Sequence, residues 1–545
     1  MYTIVIPTYN RTSELDNLLD SLEQESVHNN EVIILSPMDV VLSRGYSNLS
    51  IRYINDNSRI NNRRVKSLWA IINMGIEEAS NRWVLYLNDD CRVLPAWDKY
   101  LDKYTGNEIS LVVLKTKGIA DSKIFRIASN PTGYPCANYA AINKESKLRF
   151  DESFDWFFGD SNISHDAVRK RNKIVCTHES IIIHRHLRDA TRTYNEDDPT
   201  INTDYDAFMR KSKGLPTKHL ISLVNEHASA NQIMQSPGCS STYLNYFVVY
   251  EHKARSRLLV YVNGLCKPQL KTEFQKSVLV DIKREVGKRR TKAFLKQFDE
   301  VISVDRYFRE IGSKKAIPLY QWRVMNPPQI DDPIQRDYDY FKYCYHINKK
   351  KKLSVVLQKE AANCKKDVIY RFLEELGKIC SYDLCSIEID QTEKYFTALC
   401  EYEYAIVLDD CSLGDAWMEN VADCFLCMTY PIYCGTATIQ DYFPDEAITR
   451  IDINRLEESI EAIKKRIEYP LTGAELEALR NCQLLILDKF NIYPWIIDLY
   501  PSEEKKYREV LLLPEDDFVG WRILVALAKK YLKRYVKKGL SIFKK

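Results

Sequence analysis

The stretch VLYLNDDCRVLP, residues 84–95, sets an unbroken apolar run against three polar residues, Asn88, Asp89 and Asp90. An apolar run without alternation suits a strand buried on both faces, as in a parallel sheet covered by helices. Two neighbouring carboxylates at the end of such a strand disfavour each other's ionised form unless a cation or hydrogen-bond donors compensate. Working outward, TIVIP (3–7) reads as a strand and Glu14 to Glu25 as a helix, with Leu15, Leu18, Leu19 and Leu22 at helical spacing. EVIILS and SIRYIN supply two more strands, and a helix is expected from about Asn62 to Ala79, leading into residues 84–87. This βαβα series predicts a mainly parallel sheet whose ligands bind outside the C-terminal strand ends, where Pro7, Thr8, Asp56 and Asp89 fall.

At 545 residues the chain exceeds one ordinary hydrophobic core, so two or three domains are expected. Its 78 basic and 75 acidic residues nearly cancel, which gives no global case for a nucleic-acid partner. The start, MYTIVIPTYNR, has neither a basic n-region nor a long apolar h-region, and no run approaches a bilayer span. The 15 cysteines lie scattered in apolar contexts and are expected to be reduced core residues of a cytoplasmic protein.

The hydrophilic stretch HLRDATRTYNEDDPTINTDYD (186–206), followed by KSKGLP, reads as a boundary without a buried element. Beyond it, YFVVYE, RLLVYV, SVLVDI and DEVISV are strand-like. The basic block Lys349 to Lys352 precedes another strand, either as a solvated approach or as an anion site. A helix over Lys366 to Ile379, the strand YAIVLDD, a helix around Trp417 to Cys427 and PIYCG continue the α/β alternation. The domains expected are 1–215, 216–345, 346–505 and a basic tail, 506–545. That tail, without an acid from Phe518 onward, suits packing on a lobe, an anionic membrane surface or nucleic acid.

IVIPTYNR (4–11), NMGIEEA (73–79), VLYLNDDCRVLP (84–95) and FDESFDWFFGDSNISHDAVRK (150–170) together resemble the inverting GT-A glycosyltransferase family 2, over about residues 1–205. The resemblance implies a nucleotide-sugar site that begins after the first strand at Pro7, in which Thr8 and Tyr9 meet the nucleoside, Arg11 reaches phosphate and Asp56 lies near base and ribose. It places Asp90 at the final carboxylate of the metal motif, with Asn88 where that motif has its first acid and Asp89 sharing coordination or orienting water. One of His184 and His186 would close the Mn2+ or Mg2+ site, with His184 favoured. An inverting transfer needs a base on the acceptor side, and Asp160 is the candidate, with Trp156 as a sugar-stacking face. The other reading of Asp160 is a helix N-cap ahead of Asn162 to Arg171, and both roles can coexist. Gly159 stands where family members often have a second acid.

VLDDCS (407–412), DAWMENVADCF (415–425) and YPIYCGTATIQDYFP (430–444) resemble the donor-binding lobe of the α1,3-fucosyltransferase family 10, which has a GT-B fold. The resemblance implies a GDP-fucose site with Asp409, Asp410 and Glu419. Asn420 replaces the lysine that follows the family's glutamate, so Lys365, Lys366 and Arg371 are candidates for the missing positive charge. The fold expected is α/β: a GT-A Rossmann-like domain followed by a GT-B-like pair of Rossmann-like lobes. The function expected is a bifunctional glycosyltransferase using a UDP-sugar or related nucleotide sugar and GDP-fucose on a glycan or glycolipid acceptor. Its alternatives are one working GT-A transferase with a degenerate GT-B-like module, or a noncatalytic glycan-binding scaffold.

Overall fold

The computed structural model describes residues 1–60, 63–118, 124–185, 199–215, 218–225, 230–250, 255–262, 270–281, 291–303, 314–315, 322–326, 334–358, 366–387, 392–409, 417, 419–499 and 506–513. The chain groups into two compact units. One comprises Met1–Lys218, Ala230–Asn245 and Met325–His346, and the other His219–Ser229, Tyr246–Val324 and Ile347–Lys545.

In the first unit the elements run β1 (Thr3–Pro7), α1 (Thr12–Glu25), β2 (Asn30–Ser36), β3 (Leu49–Asn55), the short pair β4 (Arg59–Ile60) and β5 (Arg63–Arg64), and α2 (Leu68–Glu78). There follow β6 (Trp83–Tyr86), β7 (Cys91–Val93), α3 (Trp97–Asp102), β8 (Ile109–Lys117), β9 (Ala140–Asn143), α4 (Gly159–Arg169), β10 (Lys173–His184) and α5 (Pro199–Lys211). The sheet order is β3, β2, β1, β6, β9, β8, β10, β7. β1 pairs in parallel with β2 and β6, whereas β9 is antiparallel to both β6 and β8. Strand order therefore reverses at β1, which opens a crevice between β1 and β6 at their C-terminal ends.

Period-two alternation explains why these strands read as continuous apolar runs. Ile4, Ile6, Val32, Ile34 and Leu85 pack with Leu15, Leu18, Leu19 and Leu22 of α1 on one sheet face. Val5, Ile33, Leu35 and Val84 pack with Trp69, Ile72 and Ile76 of α2 and Ile163 of α4 on the other.

Three sequence expectations need correction. The helix expected from Asn62 begins at Leu68, because Arg59–Ile60 and Arg63–Arg64 pair as an antiparallel ladder and Ser67 caps the helix by accepting from Ala70 N. The stretch read as an unburied boundary runs into α5, in which Asp204 is buried and Phe208, just past the stretch, is fully buried and stacks on His165 and Phe158. Lys349 is not solvated. Its Nζ donates to Leu399 O, Cys427 O and Thr429 Oγ1 at 3.3, 2.8 and 2.7 Å, and burial pulls its pKa down to about 8. Lys350, Lys351 and Lys352 pair with Glu401, Asp383 and Glu403.

Residues 325–346, which the sequence assigns to the lobe 216–345, group with the first unit. Lys115 Nζ of β8, buried, lies 2.6 Å from Asp337 Oδ2 and 2.8 Å from Asp339 Oδ2. Gly238 N donates to Asp339, and the His178 ring of β10 stacks on Tyr343 at 3.7 Å. The part of this segment around Asp337, Asp339 and Tyr343 thus packs on β8 and β10 from a distance in sequence.

The second unit holds two parallel sheets. One orders Tyr246–Val249, His219–Asn225, Ser256–Val262, Leu270–Asp281, Glu300–Ser303 and Lys314–Lys315, with Arg508–Leu512 antiparallel to the start of Leu270–Asp281. The other orders Asp383–Ile387, Lys351–Gln358, Tyr402–Leu408, Tyr430–Cys434 and Thr449–Arg450. All ladders of the latter are parallel, as the α/β alternation predicts. The 12 described cysteines are free thiols, and among the described residues no helix is long and apolar enough to cross a membrane. The tail expected over 506–545 needs correction at its start, where Arg508–Leu512 form a strand because they pair antiparallel with Leu270–Phe274, and from residue 514 onward it lies outside the described residues.

Removing one member of a buried ion triad leaves the others uncompensated, at a cost of about 3–5 kcal/mol. Lys115→Ala is therefore expected to lower the stability of the first unit by that order, measured as a shift of its denaturant midpoint at constant slope. A loss below about 1 kcal/mol would contradict the role assigned to the triad.

Candidate active site

Pro7 ends β1, and Thr8 N donates to Leu35 O, which continues the ladder one residue past the strand. Across the crevice, Leu87 N donates to Val5 O, so Asn88, Asp89 and Asp90 emerge directly beside Thr8. Thr8 Oγ1 donates to Asp89 Oδ2 at 2.9 Å, and Arg11 Nη1 donates to Asp89 Oδ1 at 2.9 Å while lying 3.7 Å from Asp90 Oδ2. Burial pushes the Asp89 carboxyl up, opposed by the Arg11 charge and the Thr8 hydroxyl.

Asp90 is completely buried, and its Oδ1 lies 3.1 Å from His184 Nε2 at the end of β10. The β10 to β7 ladder, which pairs His184 with Cys91, sets that approach. Gly118, with φ +97°, lets the chain pass the His184 carbonyl where a Cβ would fall 1.9 Å from the oxygen. Asp90, Cys91 and His184 bring one potential ligand atom each within 4.8 Å of one another. Burial drives the Cys91 thiol far up, and a hard divalent ion such as Mg2+ or Mn2+ prefers oxygen and imidazole donors to sulfur. A carboxylate oxygen and an imidazole nitrogen remain, a donor pair suited to a divalent ion that keeps open positions for phosphate and water. His186, the other histidine considered, lies outside the described residues.

Asn88 is held at both ends of its carboxamide: Tyr86 OH donates to Oδ1 at 2.6 Å, and Nδ2 donates to Tyr139 OH at 2.9 Å. Asp56 is buried after β3, where its Oδ1 accepts from Ser58 N at 2.7 Å and its carbonyl accepts from Lys66 Nζ. The Arg59 guanidinium lies 3.7 Å from the centroid of the Tyr9 ring.

The opposite wall is the loop leading into α4. Asp204 of α5, buried, accepts from the backbone N–H groups of Asp155, Trp156 and Phe157, which fixes the aromatic loop. Arg64 pairs with Asp155 and lies over the Trp156 ring at 4.9 Å. Phe158, with φ 59°, occupies the helix N-cap position, so Asp160 sits in the first helical turn and is not the cap. A Cβ at Gly159 would lie 2.4 Å from Trp69 Cε2, so no second acid fits at 159. Asp160 is half-buried; its Oδ1 accepts from Ser161 N at 2.7 Å, its Oδ2 accepts from the Cys136 thiol at 3.3 Å, and burial pushes its pKa above the usual carboxylate range.

Pro7, Thr8, Tyr9, Arg11, Asp56, Asn88, Asp89, Trp156, Asp160 and His184 all line one cleft of about 340 Å³. Asp90 does not line it and lies beneath, against His184 and Arg11. Sequence reasoning missed Asp204, Tyr139, Arg59, Arg64 and Cys136. Asp204 was readable in part, since Pro199 opens a helix and Asp204 and Phe208 share one face at i, i+4.

In the second unit, Asp409 follows strand Tyr402–Leu408, and its Oδ1 accepts from Asn420 Nδ2 at 3.2 Å. Glu419 begins the helix Glu419–Leu426. Tyr395 OH reaches Asn420 Oδ1 at 3.2 Å and Asp423 Oδ2 at 3.1 Å. Burial and the nearby Glu419 hold the Asp423 carboxyl well above its usual range. Arg371 is exposed on the helix Lys366–Gly377, of which Lys366 is the first residue. Asp410 and Lys365 lie outside the described residues.

Because a methyl at 159 overlaps the Trp69 ring, Gly159→Ala is expected to cost about 1–3 kcal/mol through overpacking and to displace the start of α4. Thermal denaturation reads the first effect, and a crystal structure of the variant reads the second.

The sequence profile of the family described as "Glycosyl transferase family 2" matches residues 3–185. An uncharacterized glycosyltransferase of Haemophilus influenzae is 34% identical over 98 residues, which is 17% of this chain and 31% of that protein. Among solved structures, S. aureus TarS 1-349 in complex with UDP-GlcNAc is 14% identical with a TM-score of 0.30, covering 38% of this chain and 64% of that one. Glucosyl-3-phosphoglycerate synthase from Mycobacterium tuberculosis, in complex with Mn2+, UDP and phosphoglyceric acid, is 14% identical with a TM-score of 0.28, covering 40% of this chain and 79% of that one. The chain thus spans less than a third of the curated relative's length and less than two thirds of the S. aureus chain. The sheets of the second unit are Rossmann-like and consistent with a GT-B-like region. Residues 3–185 are a GT-A domain of glycosyl transferase family 2.

Proposed function

We propose that the protein is an inverting glycosyltransferase whose N-terminal unit moves a sugar from a nucleotide-sugar donor to a hydroxyl of a glycan or glycolipid. The observation that carries this is the meeting, in one cleft, of Thr8, Arg11, Asp89 and His184 with Trp156 and Asp160 from the facing loop. Tyr9 and Asp56 flank the end where the nucleoside fits. Asp90 and His184 would hold Mn2+ or Mg2+, with Asp89 and Asn88 orienting the motif through Thr8, Tyr86 and Tyr139. Bound there, the ion neutralises charge on the departing diphosphate. Arg11 adds a positive charge on the same side. Trp156 offers its face to a sugar ring, and Asp160 takes the proton of the acceptor hydroxyl as that oxygen attacks the anomeric carbon. The diphosphate leaves from the opposite face, so the configuration inverts. Burial raises the basicity of Asp160 but demands a pH at which it is ionised.

For the second unit the specific observation is the Asn420 amide. It stands where the fucosyltransferase-like motif has a lysine and is spent on Asp409 and Tyr395. A neutral amide gives a leaving diphosphate no compensating charge. A single working transferase with a GT-B-like binding module is therefore favoured over a bifunctional enzyme that also uses GDP-fucose. Glu419, at its helix start, is the residue on which the bifunctional alternative stands or falls.

The test is product analysis by mass spectrometry, with the full chain offered UDP- and GDP-sugars and simple glycoside acceptors. Asp160→Asn is expected to lower kcat about 10²–10⁴-fold with little change in donor KM, and Glu419→Ala to leave transfer unaltered. Transfer of fucose that is lost in Glu419→Ala would restore the bifunctional alternative; wild-type kcat in Asp160→Asn would remove Asp160 as the base.

The raised pKa of Asp160 also fixes a pH dependence. The base works only when ionised, so kcat/KM is expected to rise with pH through a limb above the usual carboxylate range and to fall as pH drops below it. A limb at or below about pH 4 would contradict this.

A further inference from the structure

Within the proposed transferase cleft, the segment just before β9 holds Asp160 from two directions. Ala137 N donates to the Asp160 carbonyl at 3.0 Å, and the Cys136 thiol lies 3.3 Å from Asp160 Oδ2. The same sulfur lies 3.2 Å from Asn138 Oδ1 and 3.2 Å from Ser161 Oγ. A thiol has one proton to give, and of its two acceptors the carboxylate is stronger than the amide because it is ionised. Ser161, whose hydroxyl can donate, completes the set at sulfur. Cys136 is itself buried, and burial together with the Asp160 charge holds its thiol well above its ordinary range, so it stays protonated. Ser161 N occupies Oδ1 and lies on the same helical turn, which leaves Cys136 as the side chain from another element that fixes the direction of Oδ2.

We infer that Cys136 is a positioning residue for sugar transfer: its S–H donates to Asp160 Oδ2, orienting the carboxylate toward the cleft and setting the pH at which it becomes a competent base. The inference rests on the assignment of Asp160 as the base. Among the described residues, the titratable side chain hydrogen-bonded to Asp160 from outside α4 is this thiol; Trp69 of α2, across Gly159, carries no titrating group. Loss of the donor leaves burial less opposed, so the carboxylate ionises at higher pH. A serine at 136 keeps a donor, and a stronger one.

The experiment uses the full chain as Cys136→Ala, Cys136→Ser and Asp160→Asn. Two quantities are measured: the pH profile of nucleoside diphosphate release from the nucleotide sugar that the wild type turns over, and the rate at which methyl methanethiosulfonate modifies Cys136. In Cys136→Ala the acid limb of kcat/KM is expected to move up by about one pH unit with donor KM unchanged, and in Cys136→Ser to return to or below the wild-type position. In Asp160→Asn, where no carboxylate opposes the thiolate, modification of Cys136 above about pH 8 is expected to quicken about threefold or more. Superimposable acid limbs in all three cysteine forms, or an unchanged modification rate in Asp160→Asn, overturn the inference while leaving Asp160 as the base. Undiminished turnover in Asp160→Asn overturns both.

Discussion

The first unit depends on how two adjacent buried carboxylates are kept at the end of β6. A buried carboxylate without compensation costs several kcal/mol, more than an ordinary core contact returns. Asp89 is compensated by Thr8 and Arg11 from the end of β1, and Asp90 by His184 from the end of β10. The same contacts therefore tie together three strands at the point where strand order reverses. Cost and proposed function share one origin, since buried negative charge held at the strand ends is what, in the proposed reading, would attract a cation.

Around this centre the protein invests in fixing loops. Asp204 gathers three consecutive backbone N–H groups to hold the aromatic segment, and Gly159 lets the start of α4 lie against Trp69. Farther away, Lys115 with Asp337 and Asp339 draws the segment that carries these two aspartates onto β8. β10 passes between these regions, stacked on Tyr343 through His178 at its middle and delivering His184 at its end. A domain cut at the end of the family match would leave Lys115 buried without its partners.

Much of this was legible in the sequence where one local rule decided the outcome. The apolar runs of β1, β2 and β6 needed burial on both faces, and the leucines of α1 needed only helical spacing. Thr8, Asp56, Asp89 and Asp160 fell at strand ends or a helix start, and the cleft contains them all. What stayed hidden depended on partners remote in sequence. Cys136 gains meaning only against Asp160, Asp204 only against the loop it caps, and Lys115 only against residues more than two hundred positions later. Asp160 was misread as a possible cap because Phe158 adopts the left-handed conformation there, a choice that packing rather than propensity imposes. In the second unit, Asn420 was seen as a departure from the motif, but its engagement with Asp409 was not readable from the chain.

The central claim is that Asp90 and His184 hold a cation that binds the donor's diphosphate. Calorimetric titration of the full chain with UDP and with GDP, each with and without Mn2+, tests it most directly when repeated on His184→Ala. Binding of one nucleotide that strengthens at least about tenfold with Mn2+, and loses that gain in His184→Ala, is the predicted result. Equal affinity with and without the ion, or an undiminished Mn2+ effect in the variant, would contradict it.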